Sequence, residues 1–264
     1  VCLYGTAIMD WLQAFILGIM QGLTEFLPIS SSGHLVLAQH ILGVETPGIL
    51  LEVVLHMGTL VAILIYFYDD IKQLLQSVIK ASENAREYTI YLIIATIPII
   101  CAGILFRDII ETTFTVSIVK WMLMITGLVV GSTYFFQNRP RRELVMITAL
   151  CIGFAQVFAL LPGISRSGMT ISVALIMGIQ HEKAAKFAFF MAIPVLFGAG
   201  LLQLFTVDAQ ANLSLLPLII GFISSAVTGY LVINWLLAVI SRGKFYLFSL
   251  YCFVVSLLAI TIIN

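Results

Sequence analysis

Six stretches of this chain are nearly unbroken apolar sequence: roughly Glu52–Tyr68, Thr89–Phe106, Val116–Phe136, Ala185–Phe205, Leu213–Trp235 and Phe245–Ile263. A helix of about 20 mostly apolar residues is long enough to cross a bilayer, and all six come within range once tilt and fraying are allowed. Lipid offers the backbone no hydrogen bonds, so segments like these fold as helices. Of the 264 residues, 61% are hydrophobic and 10% charged, with a mean hydropathy of +1.11. Soluble domains carry about 25% charged residues, and a chain of this size has too little interior to hide the apolar excess. Disorder needs the opposite balance. Thirteen Lys and Arg match thirteen Asp and Glu, so no net field recruits nucleic acid. The expected fold is an all-α polytopic membrane protein, with residues 1–264 as a single membrane domain.

Cys2, Cys101, Cys151 and Cys252 lie far apart, three of them inside apolar runs. They read as free apolar thiols rather than a disulfide or metal framework. The start lacks the basic region of a signal peptide. Val1–Ile8 reads as an extension ahead of Met9.

Two further apolar regions break in the middle. Trp11–Leu27 runs into Pro28-Ile29-Ser30-Ser31-Ser32-Gly33, with only His34–Leu42 beyond it. Leu144–Leu161 runs into Pro162-Gly163-Ile164-Ser165-Arg166-Ser167-Gly168, followed by Met169–Met177. Each trailing arm is too short to cross. Irregular backbone at membrane depth survives only where protein or a water-filled cavity covers it. The expectation is therefore six transmembrane helices plus two re-entrant helix–break–helix hairpins. On that count one side holds Lys72, Lys80, Arg86, Arg139, Arg141, Arg142, Lys183, Lys186, Arg242 and Lys244; the other holds Arg107 and Lys120. This asymmetry makes the first side cytoplasmic and puts both termini outside.

The two breaks align at a constant offset of 135. Ala14, Gly18, Gln21, Ile29, Ser30, Ser32, Gly33, Ile41 and Gly43 match Ala149, Gly153, Gln156, Ile164, Ser165, Ser167, Gly168, Ile176 and Gly178. Each copy is a hairpin followed by three crossings. Three is odd, so the copies, approximately 9–136 and 144–264, form an inverted-topology repeat. Their breaks can then meet near the midplane, where transporters of this pattern hold substrate.

An ionisable group inside a membrane costs roughly 2.5–3.5 kcal/mol on insertion scales and is a functional candidate by default. The breaks concentrate such groups: Glu25 and His34 in the first, Arg166 in the second. Gln21 lies one turn before Glu25, on the same helix face. The second arm of each hairpin opens just after Ser and Gly, where unpaired N–H groups and the helix dipole favour an anion. Arg166 adds a fork of donors suited to phosphate. These groups describe a phosphate pocket with acid–base equipment. A plainer account makes Arg166 only the neutraliser of Glu25 and each break only a kink. His40, His56 and His181 read as structural or interfacial, and Glu52 as a mouth residue or simply the start of a span. Gly127 and Gly131, and Gly198 and Gly200, read as sites of close helix packing. Pro98 and Pro194 read as kinks within spans, and Asp69–Glu87 as a solvated loop or interfacial helix.

Gln21-Gly22-Leu23-Thr24-Glu25-Phe26-Leu27-Pro28-Ile29-Ser30-Ser31-Ser32-Gly33-His34 and Pro162-Gly163-Ile164-Ser165-Arg166-Ser167-Gly168-Met169-Thr170 resemble the two signature motifs of the BacA/UppP family, the bacterial undecaprenyl-diphosphatases. The resemblance extends from Met9 over essentially the whole chain. Glu52-Val53-Val54 with Gly58-Thr59 also resembles a family segment, and some members carry Glu where this chain has Gln21. The resemblance implies a multi-pass enzyme of the bacterial inner (cytoplasmic) membrane whose site opens to the outer face. It would hydrolyse undecaprenyl diphosphate to undecaprenyl phosphate and inorganic phosphate, recycling the lipid carrier for peptidoglycan synthesis and conferring bacitracin resistance. It further implies a divalent cation, Mg²⁺ or Ca²⁺, which Glu25 would hold together with lipid phosphates.

By motif, the catalytic candidates are Glu25, Ser31, His34 and Arg166. The substrate-binding candidates are Gln21, Ser30, Ser32, Gly33, Ser165, Ser167, Gly168 and Thr170. Ser31 is expected to attack the terminal phosphorus, with Glu25 or His34 taking its proton. The competing class is a flippase for polyprenyl phosphate on the same inverted-repeat fold.

Overall fold

Asp10 starts the first described helix. Its carboxylate accepts the Gln13 N–H at 2.7 Å, and the Gln13 side chain accepts the Asp10 N–H at 3.0 Å. This reciprocal cap satisfies donors that a helix N-terminus otherwise leaves open. The structure, a computed structural model, describes residues 10–43, 50–204 and 215–262. The proposed extension Val1–Ile8, with Cys2, lies outside the described residues. The helices are α1 (Trp11–Phe26), α2 (Ser31–Leu42), α3 (Leu50–Tyr66), α4 (Tyr68–Ile79), α5 (Glu83–Leu105), α6 (Arg107–Glu111), α7 (Val116–Ser132), α8 (Met146–Val157), α9 (Arg166–Ile176), α10 (His181–Leu204), α11 (Leu215–Ser241) and α12 (Phe248–Ile262). Among the described residues the β pairing is a single bridge between Arg142 and Ile179.

Five segments are long and apolar enough to cross a membrane: Glu83–Leu105, Val116–Phe136, His181–Leu201, Leu215–Ser241 and Phe245–Ile262. The pair α3 and α4, bent by 71° at its junction, makes a sixth if it is taken as one span. The chain is thus an all-helical polytopic membrane protein. The polar stretch after α3 divides in two. Its first part is α4, which buries none of its residues, and its second part forms the opening turns of α5. Lys186 at the start of α10 holds Asp70 of α4 at 2.5 Å.

Both breaks fold for local reasons. Pro28 has no N–H to donate and disfavours helical backbone at the residue before it. Leu27 is accordingly extended, with φ −66° and ψ 145°. Ser30 then caps α2, its hydroxyl accepting the Gly33 N–H at 3.2 Å. In the second break Gly163 supplies a φ of +98°, open to glycine at little steric cost. Ser165 caps α9 by accepting the Gly168 N–H at 3.0 Å. The arms of each hairpin pack on each other, α1 on α2 and α8 on α9. At 1.5 Å per residue α2 and α9 reach only about 18 and 16 Å, short of a bilayer core of about 30 Å.

Small residues let these arms approach the long helices. A Cβ on Gly18 or Gly22 of α1 would come within 2.6 Å of the Gly221 or Ser225 carbonyl oxygen of α11. One on Gly153 of α8 would come 2.5 Å from the Ala95 carbonyl oxygen of α5. Gly127 and Gly131 of α7 likewise face Cys252, Phe253 and Ser249 around α12, the close packing expected of them. Pro98 and Pro194 lie inside α5 and α10. Large apolar side chains such as Ile93, Ile97, Leu128, Leu231 and Val254 point outward, as a lipid-facing surface requires. Cys101, Cys151 and Cys252 are free thiols.

Candidate functional site

The two breaks touch and satisfy each other's backbone. Ser167 Oγ donates to the Leu27 carbonyl at 2.9 Å, and Ser165 Oγ approaches the same oxygen at 3.4 Å. Thr126 of α7 donates to the Gly163 carbonyl at 2.8 Å and accepts the Ser165 N–H at 3.1 Å. Gly33 sits against Gly163, where an added Cβ would lie 2.9 Å from the Gly163 Cα. Cys252 of α12 reaches the Pro28 carbonyl at 3.5 Å. Unwound backbone in the protein interior is thus paired, as burial demands.

Glu25, 6% exposed, is where the breaks converge. Arg166 Nη2 donates to Glu25 Oε1 at 2.5 Å. Ser31 Oγ donates to Oε2 at 2.5 Å, and Gln21 Nε2 donates to the same oxygen at 2.9 Å. A buried carboxylate without such partners would be strongly destabilising. Gln21 is fully buried, and its Oε1 has no partner among the described residues. The chemical content lies in Ser31: its hydroxyl donates to a buried carboxylate, an arrangement in which a serine can be activated as a nucleophile.

The two histidines near the first break divide differently from the sequence reading. His34, a candidate base, is buried and turned away. Its Nδ1–H donates to the Ser30 carbonyl at 2.7 Å, which leaves Nε2 to accept from the Tyr251 hydroxyl at 2.9 Å. His56, read as structural or interfacial, stands at the site instead. Its Nδ1–H donates to the Glu52 carbonyl at 2.6 Å, and its Nε2 faces Glu25 Oε2 at 3.5 Å. A usable signal was present: Glu52 and His56 are four apart on one helix, hence on one face.

Glu25, Ser31 and Arg166 form the floor of a cavity of about 1180 Å³. Ser30, Ser32 and Ser165 also line it, with Gln39, His40, Glu52, His56 and Arg107. Its remaining wall is apolar, including Ile99, Ile100, Ile104, Phe114, Leu160 and Leu196. That combination suits a ligand with an anionic head and a long hydrocarbon body. His34, Gln21, Gly33, Ser167, Gly168 and Thr170 lie behind the lining. Ser167 and Gly168 hold the second break together, and Thr170 donates to the Arg166 carbonyl at 2.8 Å.

No group of three or more His, Cys, Asp or Glu among the described residues could hold a metal. Glu25 already accepts three hydrogen bonds. The residues therefore fit a divalent cation only as a companion of substrate phosphates, with Glu25 as the protein ligand.

The family described as bacitracin resistance protein BacA matches residues 14–258. The undecaprenyl-diphosphatase of Halothermothrix orenii is 41% identical over 259 residues, covering 96% of this chain and 98% of that protein. The undecaprenyl-diphosphatase of Desulforudis audaxviator is 38% identical over 258 residues, with the same coverage. That of Bacteroides thetaiotaomicron is 35% identical over 260 residues, again covering 96% and 98%.

Proposed function

The chain belongs to the BacA family, and from that premise we propose that the Glu25–Ser31–Arg166 cluster is its phosphatase centre. The protein is a membrane-embedded undecaprenyl-diphosphatase: it hydrolyses undecaprenyl diphosphate to undecaprenyl phosphate and inorganic phosphate. The observation that carries the site assignment is one carboxylate holding a serine hydroxyl and an arginine fork, each at 2.5 Å, on the floor of an amphipathic cavity.

The geometry supports the following roles. Diphosphate competes with Glu25 for the Arg166 guanidinium, which binds phosphate oxygens as a planar fork. Losing Arg166 leaves Glu25 free to take the Ser31 proton. Ser31 Oγ bonds to the terminal phosphorus, and the bond to the bridging oxygen breaks, releasing undecaprenyl phosphate. Water then displaces the serine, and inorganic phosphate leaves. Glu25 takes the base role over His34, because both His34 ring nitrogens are occupied away from the cavity. His56 Nε2 beside Glu25 is placed to relay the proton outward. Positioning and charge neutralisation supply most of the acceleration in a loose phosphoryl-transfer transition state. Ser30, Ser165 and the N-termini of α2 and α9 help seat the phosphates. A divalent cation, Mg²⁺ or Ca²⁺, would enter with the diphosphate at Glu25 and neutralise phosphate charge.

The finer architecture belongs to the same proposal. Six helices cross and the two hairpins re-enter, as inverted repeats over approximately 9–136 and 144–264. Its support is the exchange of partners: α1 packs on α11, and its counterpart α8 packs on α5. The basic loops around Asp70, Arg139 and Lys183 gather at one end, which we place in the cytoplasm. The cavity wall includes Arg107 and Phe114, which we put at the opposite, outer end together with the cavity mouth and both termini. The flippase alternative has no use for a hydroxyl held on a buried carboxylate.

Phosphate release from a C15 or C55 isoprenyl diphosphate by the purified protein tests the centre. Glu25→Ala, Ser31→Ala and Arg166→Ala should each collapse turnover while lipid binding persists in Ser31→Ala. Near-wild-type turnover by Ser31→Ala would overturn the covalent serine route. The arrangement in the membrane is tested by labelling Leu75→Cys and Phe114→Cys from either side. Reaction of both from one side would sink it.

A further inference from the structure

At the basic end of the molecule, three segments distant in sequence line a second cavity of about 110 Å³, which shares no residue with the Glu25 cavity. The segments are the loop after α7, the turn between α9 and α10, and the turn after α11. Arg139, Arg141, His181, Gln137 and Gln180 line it, and no carboxylate does. Arg139 is fixed in place: its Nη1 donates to the Ile176 carbonyl at 2.9 Å, and its guanidinium lies 4.6 Å from the Phe136 ring centroid. Arg141 and His181 share the cavity wall. A Cβ on Gly243 would lie 3.8 Å from His181 Nε2, so the ring closes one side of the cavity. The neighbouring acid Glu143 is already held by Lys183 at 2.9 Å. The cavity is therefore cationic, with two arginines, two amides and an imidazole, and with nothing of opposite sign in its wall. It holds several waters' worth of space, enough for one tetrahedral anion.

We propose that this cavity is a phosphate-binding site, separate from the catalytic centre, which takes the phosphate-bearing headgroup of an acidic phospholipid. Guanidinium forks without carboxylate partners match phosphate oxygens, and basic pockets at the cytoplasmic end of a helix bundle recruit acidic lipid. Three observations favour a lipid over a soluble ligand. The wall is half apolar, with Leu175, Ile179 and Phe245. Tyr134 and Phe135 beside it are exposed, in the manner of an interfacial aromatic belt. The site also sits at the end of a helix bundle whose sides face lipid. Inorganic phosphate is the other source of the same chemistry. An occupied cavity would tie the loop after α7 to the C-terminal end of α9, the helix whose first residue is Arg166.

Native mass spectrometry of the purified protein with dioleoyl-phosphatidylglycerol or dioleoyl-phosphatidylcholine reads the lipid arm, and titration with inorganic phosphate reads the other. Each arm compares wild type, Arg141→Gln, Arg141→Lys and Lys80→Gln, a basic residue outside the cavity wall. The catalytic centre is the same in all four, so differences report the cavity. Arg141→Gln should weaken phosphatidylglycerol binding about tenfold, the worth of one charge-assisted hydrogen bond. Arg141→Lys should fall between, and Lys80→Gln should match wild type. A loss confined to phosphatidylglycerol assigns the lipid, and one confined to inorganic phosphate assigns the soluble anion. Equal losses in Arg141→Gln and Lys80→Gln, or none in either, overturn the site. Should Arg141→Gln fail to fold, alkylation of Gln137→Cys, followed peptide by peptide, decides: phosphatidylglycerol or inorganic phosphate should slow it several-fold, and an unchanged rate overturns the proposal.

Discussion

The two breaks share the frame Ile-Ser-x-Ser-Gly, and within it the serines make the same contacts in both. In each, the first serine caps the following helix, and the two serine hydroxyls meet, at 3.3 Å for Ser30 and Ser32 and 3.1 Å for Ser165 and Ser167. The variable residue is Ser31 in one copy and Arg166 in the other, and both side chains end on Glu25. Outside the frame the copies part at the ionisable positions. At the position of Glu25 the second copy has Leu160, and at the position of His34 it has Met169. On the proposed roles, one copy carries the nucleophile and its base, while the other carries the charge that binds the phosphates. The shared frame then gives both copies one geometry, and differences at a few positions divide the proposed chemistry between them.

The largest expected effect comes from removing the contribution of the second copy. Arg166→Ala should cut turnover by about 10³–10⁵, the scale of a phosphate-clamping arginine. It should also destabilise the fold by about 3–5 kcal/mol, because Glu25 is left buried and unpaired. The double variant Glu25→Gln with Arg166→Gln should regain much of that stability in thermal unfolding and none of the activity. If Arg166→Ala unfolds no more easily than wild type, the ion pair is not the hinge between the copies. Next comes the first copy's own residue. Ser31→Ala should lose about 10³-fold or more in turnover, while keeping substrate affinity within a few-fold. A matching rise in KM without a fall in kcat would make Ser31 a binding residue, equivalent in role to Arg166.

Much of this division is legible in the amino-acid sequence itself. The offset repeat shows which residues correspond, and the Pro, Gly and Ser content marks the backbone breaks. Long apolar runs place α5, α7, α10, α11 and α12. Rotation about a side-chain bond leaves no such trace. His34 closes the first motif yet turns to the Ser30 carbonyl and to Tyr251, which lies 217 residues further along the chain. His56 comes from α3, outside both motifs, and spacing reveals only its shared face with Glu52. The cationic cavity at the basic end is equally hidden, since three separated turns assemble it.

The histidines give the next prediction. His56→Gln should lower kcat by about 10²–10³ if the ring relays the proton of Glu25. His34→Gln should act mainly on stability, through its paired nitrogens, with a smaller change in kcat. The reverse order would return the base role to His34 and make the first break self-sufficient in acid–base chemistry.

The smallest effect separates the caps themselves. Ser30 holds φ at +71°, in the left-handed region that disfavours residues with a Cβ, whereas Ser165 holds −78°. Such a backbone costs of order 1–3 kcal/mol, and glycine removes most of that cost. Replacing a serine cap by glycine otherwise loses only a few tenths of a kcal/mol. Ser30→Gly should therefore be neutral or stabilising by up to about 1 kcal/mol in thermal unfolding, and Ser165→Gly mildly destabilising. The strain sits next to Ser31, so its release should appear as slower turnover in the more stable protein. A Ser30→Gly variant that gains stability and keeps full activity would show that the first break is strained for packing alone. One that gains stability and loses activity would show that the copy bearing the nucleophile is the copy held away from its resting backbone.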